Sequence, residues 1–201
     1  MNQEAIADLI LTTPFTLGEV ARYAKEMEQR LQRLEALLVF DIDFPFKKLH
    51  PDATLPAKAG EKEACYDFTC VADENFLPTD CVLGLEKGVQ SPFVEMRPGD
   101  SRVFKLGIAA AIPEGRALFY WDRSGMGAKR NLHRLAGVID STYRGEWMVC
   151  LTNHSRDVQI IEAGDKIIQG HLALVLPGTP KWVDDLPESY RGEAGFGSTG
   201  R

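Results

Sequence analysis

SRVFKLGIAAAIPEGRALFYW, Ser101 to Trp121, decides the fold class. Two runs rich in Val, Phe, Ile and aromatic residues, Ser101–Ile108 and Ala117–Trp121, flank a Pro113-Glu114-Gly115 turn, and neither carries a 3.6-residue apolar period. The stretch reads as strand, turn, strand. Working outward, Phe46–Leu49, Tyr66–Val71, Phe93–Met96, Glu146–Asn153, Val158–Ile161 and Lys166–Val175 have the same character, with turns such as Arg97-Pro98-Gly99-Asp100 between them. Many short strands with little helical period predict a mainly β domain of the sandwich, barrel or jelly-roll kind. Residues 72–92 exceed what a hairpin needs and read as an inserted loop. No repeat of 20–50 residues is visible.

The ends differ from this middle. Residues 1–45 read as a helical extension. Thr16-Leu17-Gly18-Glu19 fits a capping box, and Phe15 with Val20 fits a hydrophobic staple. Val20, Ala24, Met27, Leu31, Leu34 and Leu38 then step at heptad spacing. Packing of this helix on its own β domain is favoured over a bundle with neighbouring copies, because the seam is short. At the other end, residues 179–201 form an arm with Arg191, Phe196, Ser198 and Thr199 among glycines. That composition builds no core, and it suits either an unstructured tail or a lid that stacks a ring and grips phosphate.

Composition sets further limits. The formal charge of −6 argues against general attraction to nucleic acid or acidic membranes, so a polyanionic ligand must meet local arginines or a metal. Cys65, Cys70, Cys81 and Cys150 form no C-x-x-C pair and read as reduced thiols of a cytoplasmic protein. His50, His133, His154 and His171 lack zinc-motif spacing. No signal peptide or membrane-spanning run is apparent.

Directly after the opening stretch comes DRSGMGAKRNLHRLAGVIDSTYRGE, Asp122 to Glu146, which reads as the centre of an active site. A bend at Ser124-Gly125 beside Arg123 suggests a concave anion site of backbone N–H groups. Ala136-Gly137-Val138-Ile139-Asp140 reads as a turn and a buried run that ends in a placed carboxylate. Together they suggest phosphate-ester or phosphoanhydride chemistry.

The order of these pieces resembles the trimeric dUTP pyrophosphatase (dUTPase) family over residues 46–201. Phe46–Pro56 resembles its first strand, and Ala64-Cys65-Tyr66-Asp67-Phe68 its first motif. Arg123-Ser124-Gly125 with Lys129 resembles the second, Ala136–Glu146 the third, Ala163–Gln169 the fourth and the glycine arm the fifth. The resemblance implies a jelly-roll-like (β-clip) domain over 46–178, assembled as a homotrimer with shared active sites, and Mg²⁺-dependent hydrolysis of dUTP to dUMP and diphosphate. It implies that Asp140 activates water, that Tyr143 packs under the deoxyribose, and that the backbone of Ala136, Gly137 and Val138 reads uracil. Arg123, Ser124, Gly125 and Gln169 would hold phosphates, and Asp67 would support the metal through water. Phe196 would stack on uracil within the Gly197-containing arm, with Arg191, Ser198 and Thr199 at the γ-phosphate. Cys65, Thr142 and Ala194 depart from the family pattern of Gly, an acid and Gly. Two other readings stay open: a dCTP deaminase or other pyrimidine deoxynucleotide pyrophosphatase of the same fold, and a nucleotide-gated regulatory binding protein.

Overall fold

The computed structural model describes residues 16–38, 43–78, 91–190 and 192–193. Phe15, Cys81, Arg191, Ala194, Phe196, Gly197, Ser198 and Thr199 lie outside them, as does much of the expected loop 72–92. The described chain is mainly β. Helix α1 (Leu17–Leu38) precedes eleven strands: β1 (Phe46–Lys48), β2 (Tyr66–Thr69), β3 (Phe93–Met96), β4 (Ser101–Lys105), β5 (Ile108–Ala110), β6 (Arg116–Trp121), β7 (Leu132–Leu135), β8 (Val138–Asp140), β9 (Met148–Asn153), β10 (Gln159–Glu162) and β11 (Lys166–Leu174). A π-helical turn, Gly125–Lys129, lies between β6 and β7. Among the described residues no helix is long and apolar enough to cross a membrane.

All pairings are antiparallel. The sheets run β2-β11-β6-β8, β4-β9-β7, β1-β5 and β10-β3. β3 buries Phe93, Val94 and Met96 and exposes only Glu95, so both of its faces are largely covered. In β11 both Ile167 and Ile168 are buried, although adjacent side chains of a regular strand point to opposite faces. The register against β2 shifts between Lys166 and Ile168, and such a bulge turns consecutive side chains to the same core. The core centres on Trp147, which is fully buried and packs edge-on or tilted against Phe46, Phe68 and Tyr120 at centroid distances of 5.4, 5.9 and 6.5 Å.

Asn153 is also fully buried, and each of its polar atoms is used. Its Nδ2 donates to the carbonyls of Met96 and Asp157 at 2.8 Å, and its Oδ1 accepts from the Ser155 amide and hydroxyl. A buried amide so completed ties the β9–β10 connection to β3.

Three expectations need correction. Ser101–Ile108 is two strands, because Gly107 takes φ +66 and the chain breaks between β4 and β5. The run Val138–Asp140 is not buried: Val138 is 56% exposed and Asp140 is exposed, since this three-residue strand covers the edge of a sheet. Helix α1 does not pack on its own β domain. Every described side chain from Gly18 to Glu35 is exposed, including Val20, Met27, Leu31 and Leu34 at 52–57%. The capping box is present, with Thr16 N–H donating to Glu19 Oε2 at 2.9 Å and Glu19 N–H to Thr16 Oγ1 at 3.3 Å.

Candidate functional site

Three strands bring the first cluster together by register. Gln169 on β11 lies opposite Asp67 on β2 and opposite Trp121 on β6, so one row crosses the sheet and the chain leaves it directly into Asp122 and Arg123. Phe68 points into the core, which sends its neighbour Asp67 outward. Arg123 Nε donates to Asp67 Oδ1 at 2.7 Å, its second guanidinium nitrogen to Oδ2 at 3.3 Å, and a third to the Lys166 carbonyl at 2.9 Å. Lys166 Nζ adds 3.1 Å to Asp67 Oδ2. One carboxylate thus holds two cations, the Arg pair in the two-pronged geometry that also suits phosphate.

Asp67 and Arg123 line a cleft of about 480 Å³ with Glu63, Ala64, Cys65, Ser124, Gly125, Lys129 and Gln169. The expected bend at Ser124-Gly125 is the entrance of the π-helical turn, where the Met126 and Gly127 amides donate to the Arg123 carbonyl at 2.9 and 2.8 Å. Those two donors are therefore engaged within the turn rather than offered to an anion. Met126 is buried and anchors the turn. Burial pushes up the Cys65 thiol at the cleft wall, and it pushes the Cys70 thiol up to about 12. Cys70 is a protonated core side chain that donates to the Glu162 carbonyl.

Asp122, which the sequence reading did not single out as a site residue, organises the back of this cleft. Its Oδ2 contacts His133 Nδ1, its Oδ1 accepts the Arg134 amide at 3.0 Å, and its carbonyl accepts Gln169 Nε2 at 2.9 Å. The side-chain amide of Gln169 is thereby fixed beside Arg123. A β carbon at Gly127 would sit 3.1 Å from Asp122 Cβ, so the turn and this aspartate fit closely. The signal in the sequence was its position, the first polar residue after an apolar strand. Lys166, inside the AGDKIIQ segment, was likewise not assigned a role.

The second cluster is the connection between β7 and β8. Within two residues the chain leaves the β4-β9-β7 sheet and joins the β6 edge, with Ala136 at φ +67 and Gly137 at φ +153. Tyr120 N–H donates to the Gly137 carbonyl at 2.8 Å. Arg134 folds over this turn, donating to the Ala136 carbonyl at 2.8 Å and lying 5.3 Å from the Trp121 ring centre. Ala136, Gly137 and Val138 line a mostly apolar depression of about 210 Å³ with Tyr120, Met148 and Val149. Burial raises the Tyr120 hydroxyl pKa strongly, and that hydroxyl has no hydrogen-bond partner among the described residues.

Asp140 and Thr142 line a third depression of about 250 Å³ with Gly115, Arg116 and Ser141. Asp140 lies opposite Ala117 at the start of β6, whereas Arg123 follows its end. About 13 Å of strand separates the two levels. Tyr143 rests on Gly145 and donates from its hydroxyl to the Glu146 carbonyl at 3.0 Å. The structure therefore brings Asp67, Arg123, Ser124, Gly125 and Gln169 together, groups Ala136, Gly137 and Val138 elsewhere, and sets Asp140 apart from both.

Among the described residues no group of three or more His, Cys, Asp or Glu side chains could cage a metal. Asp67 is already bonded to Arg123 and Lys166. This donor set fits a hard cation that keeps water ligands and is held largely by a ligand's phosphate oxygens, which is the usual habit of Mg²⁺.

The dUTPase family model matches residues 89–200. The deoxyuridine 5'-triphosphate nucleotidohydrolase of Wolinella succinogenes is 33% identical over 156 residues, covering 77% of this chain and 91% of that protein. The enzyme of the same name from Oryza sativa subsp. japonica is 34% identical over 154 residues, covering 77% and 78%. Among solved structures, the Staphylococcus bacteriophage 80alpha dUTPase with dUPNHPP superposes with a TM-score of 0.63 at 22% identity, covering 80% of this chain and all of that one. A mutant dUTPase from phage phi11 of S. aureus, whose structure is described as revealing the coordination of a structural Mg(II) ion, gives a TM-score of 0.57 at 19% identity, covering 72% of this chain and 98% of that one. The jelly-roll-like β fold is shared with these structures, and with the matched relatives it settles the kinship: this chain belongs to the dUTPase family.

Proposed function

We propose that the chain hydrolyses dUTP to dUMP and diphosphate, with Mg²⁺, in the cytoplasm, at active sites shared between the subunits of a homotrimer. The observation that carries the shared site is the separation of Arg123 from Asp140 along β6. A nucleotide held by one chain's Arg123 cleft needs its water-activating carboxylate from elsewhere, and a rotationally related copy supplies one. The arm also supports assembly: Trp182 and Tyr190 are fully exposed and Leu186 nearly so, large apolar groups with no cover from the described residues.

In this reading Arg123, Ser124, Gly125 and Gln169 bind the α- and β-phosphates, with Arg123 exchanging its Asp67 contact for phosphate oxygens of the same planar geometry. Bound Mg²⁺ would neutralise phosphate charge, with Asp67 meeting it through water. The Ala136–Val138 turn reads the uracil edge by its backbone, and the neighbouring depression is narrow enough for one ring. Tyr143, pinned by Gly145 and the Glu146 carbonyl, presents a fixed face under the sugar where a 2′-hydroxyl would collide, so UTP is rejected. Asp140 takes the proton of the attacking water as general base. The arm over 179–201, with Arg191, Phe196, Gly197, Ser198 and Thr199, closes over the nucleotide and excludes bulk water.

Diphosphate release is to be measured from dUTP, dCTP, dTTP and UTP with and without Mg²⁺. Rapid release from dUTP alone, lost on chelation of the metal, is the expected result; ammonia release from dCTP would replace this proposal with a deamination. Asp140→Asn is expected to lower turnover about 10²- to 10⁴-fold while dUTP binding persists. Undiminished turnover would remove Asp140 from the mechanism, and tight dUTP binding without turnover in the unaltered protein would identify a nucleotide-gated binding protein instead.

A further inference from the structure

Helix α1 presents an apolar row that its own chain leaves uncovered. Val20, Met27, Leu31 and Leu34 are each more than half exposed, and Ala24 completes the row. The spacing places Val20, Met27 and Leu34 at the d positions of a heptad and Ala24 and Leu31 at a. About four turns of helix carry this row without interruption, over a length of roughly 33 Å for the whole helix. Neighbouring apolar side chains at this spacing form one contiguous stripe, which monomeric surfaces avoid.

The residues flanking the stripe indicate its occupant. Arg30 takes the g position before Leu31, and Glu28 and Glu35 take e positions after Met27 and Leu34. In a parallel pair of identical helices, g of one chain meets e five residues later on the other, so Arg30 faces the neighbour's Glu35. In an antiparallel pair the e rows face each other, and glutamates would meet glutamates. The flanks are thus self-complementary in one orientation and repulsive in the other. Among the described residues Arg30 makes only a marginal contact to Glu26, at 4.0 Å between two exposed side chains, which leaves it available to a neighbour. A rotation axis running along the helices relates parallel copies of this kind.

We infer that α1 is an assembly helix: copies of α1 join in a parallel bundle through Val20, Ala24, Met27, Leu31 and Leu34, with Arg30 and Glu35 paired between adjacent chains. The number of helices, three, rests on the homotrimer proposed above; the stripe, its orientation and its ion pair do not. The bundle adds a second contact between subunits, outside the β domain.

The full-length protein carrying Leu31→Cys, or Met27→Cys as an independent seam variant, is to be oxidised and resolved on non-reducing gels. Gln29→Cys, on the opposite face at position f, and the unaltered protein are the controls. Light scattering gives the mass of each. The expected result is a covalent dimer formed several-fold more by the two seam variants than by Gln29→Cys. Arg30→Glu should reduce that crosslinking, and the double exchange Arg30→Glu with Glu35→Arg should restore it. A trimer by mass in which seam and outward cysteines crosslink alike overturns the helix bundle and leaves the trimer standing. A monomer by mass with no crosslinking overturns both. Loss of seam crosslinking with no recovery in the double exchange overturns the parallel Arg30–Glu35 register.

Discussion

Ala136 holds a left-handed backbone conformation that an alanine side chain disfavours, at the point where the chain crosses from one sheet to another. The cost of such a position is about 1–2 kcal/mol, and glycine removes most of it. Ala136→Gly is therefore expected to raise stability by about 1 kcal/mol, read as an increase in the thermal midpoint. Unchanged or lower stability would show that the Cβ contributes contacts that outweigh the strain. Side-chain chemistry at this scale was only partly legible. Arg123, Ser124 and Gln169 were recognisable from their local order, and the structure gathers them in one cleft. Asp122 was not, because its three partners, His133, Arg134 and Gln169, come from two other strands, and no local pattern encodes such a convergence.

Elements were legible where a short apolar run was undisturbed. Phe93–Met96 has the bounds expected of it, since three buried residues surround one exposed glutamate. β7 and β8 escaped notice because His133 and Arg134 interrupt the apolar pattern of Leu132–Leu135, and because β8 is only three residues long and mostly exposed. The division of Ser101–Ile108 was hidden for a different reason: Gly107 looks like any strand glycine until its surroundings are known. A β carbon there would lie 2.7 Å from His50 Cβ and 2.9 Å from Ala53 Cβ, and its carbonyl accepts from the Leu49 and His50 amides. The β1 side of the fold is packed onto this glycine. Gly107→Ala combines a left-handed backbone with overpacking, and a loss of about 2–4 kcal/mol is expected in denaturant unfolding; a loss below that of an ordinary surface substitution would mean that the His50 loop yields freely. Helix α1 shows the reverse case, in which the capping box and the heptad stripe were plain but their exposure was not, because an apolar period marks a face without saying what lies against it.

For the assembled molecule, sharing of sites makes a distinct prediction. Arg123→Ala and Asp140→Asn are each expected to be inactive as pure proteins. Unfolded together and refolded in equal amounts, they should recover about one quarter of the unaltered activity, because that share of random interfaces joins an intact Arg123 to an intact Asp140. No recovery in mixed assemblies would place both residues in the site of a single chain. Net charge matters at this scale too, since a chain of −6 repels a polyanion at long range and leaves its capture to local cations such as those of the cleft. There, the pairing of Asp67 with Arg123 and Lys166 has its own consequence. The carboxylate keeps the cations extended and in place, so they neither collapse onto other surface groups nor stand open to every passing anion. A chloride or acetate ion meets charges that are already satisfied and offers too little to separate them. A chain of linked phosphates offers several oxygens at once and exchanges with the carboxylate contact by contact. In the proposed reaction Asp67 would thereby set a threshold of valence, making the cleft respond to how many charges a ligand carries rather than to the sign of its charge alone.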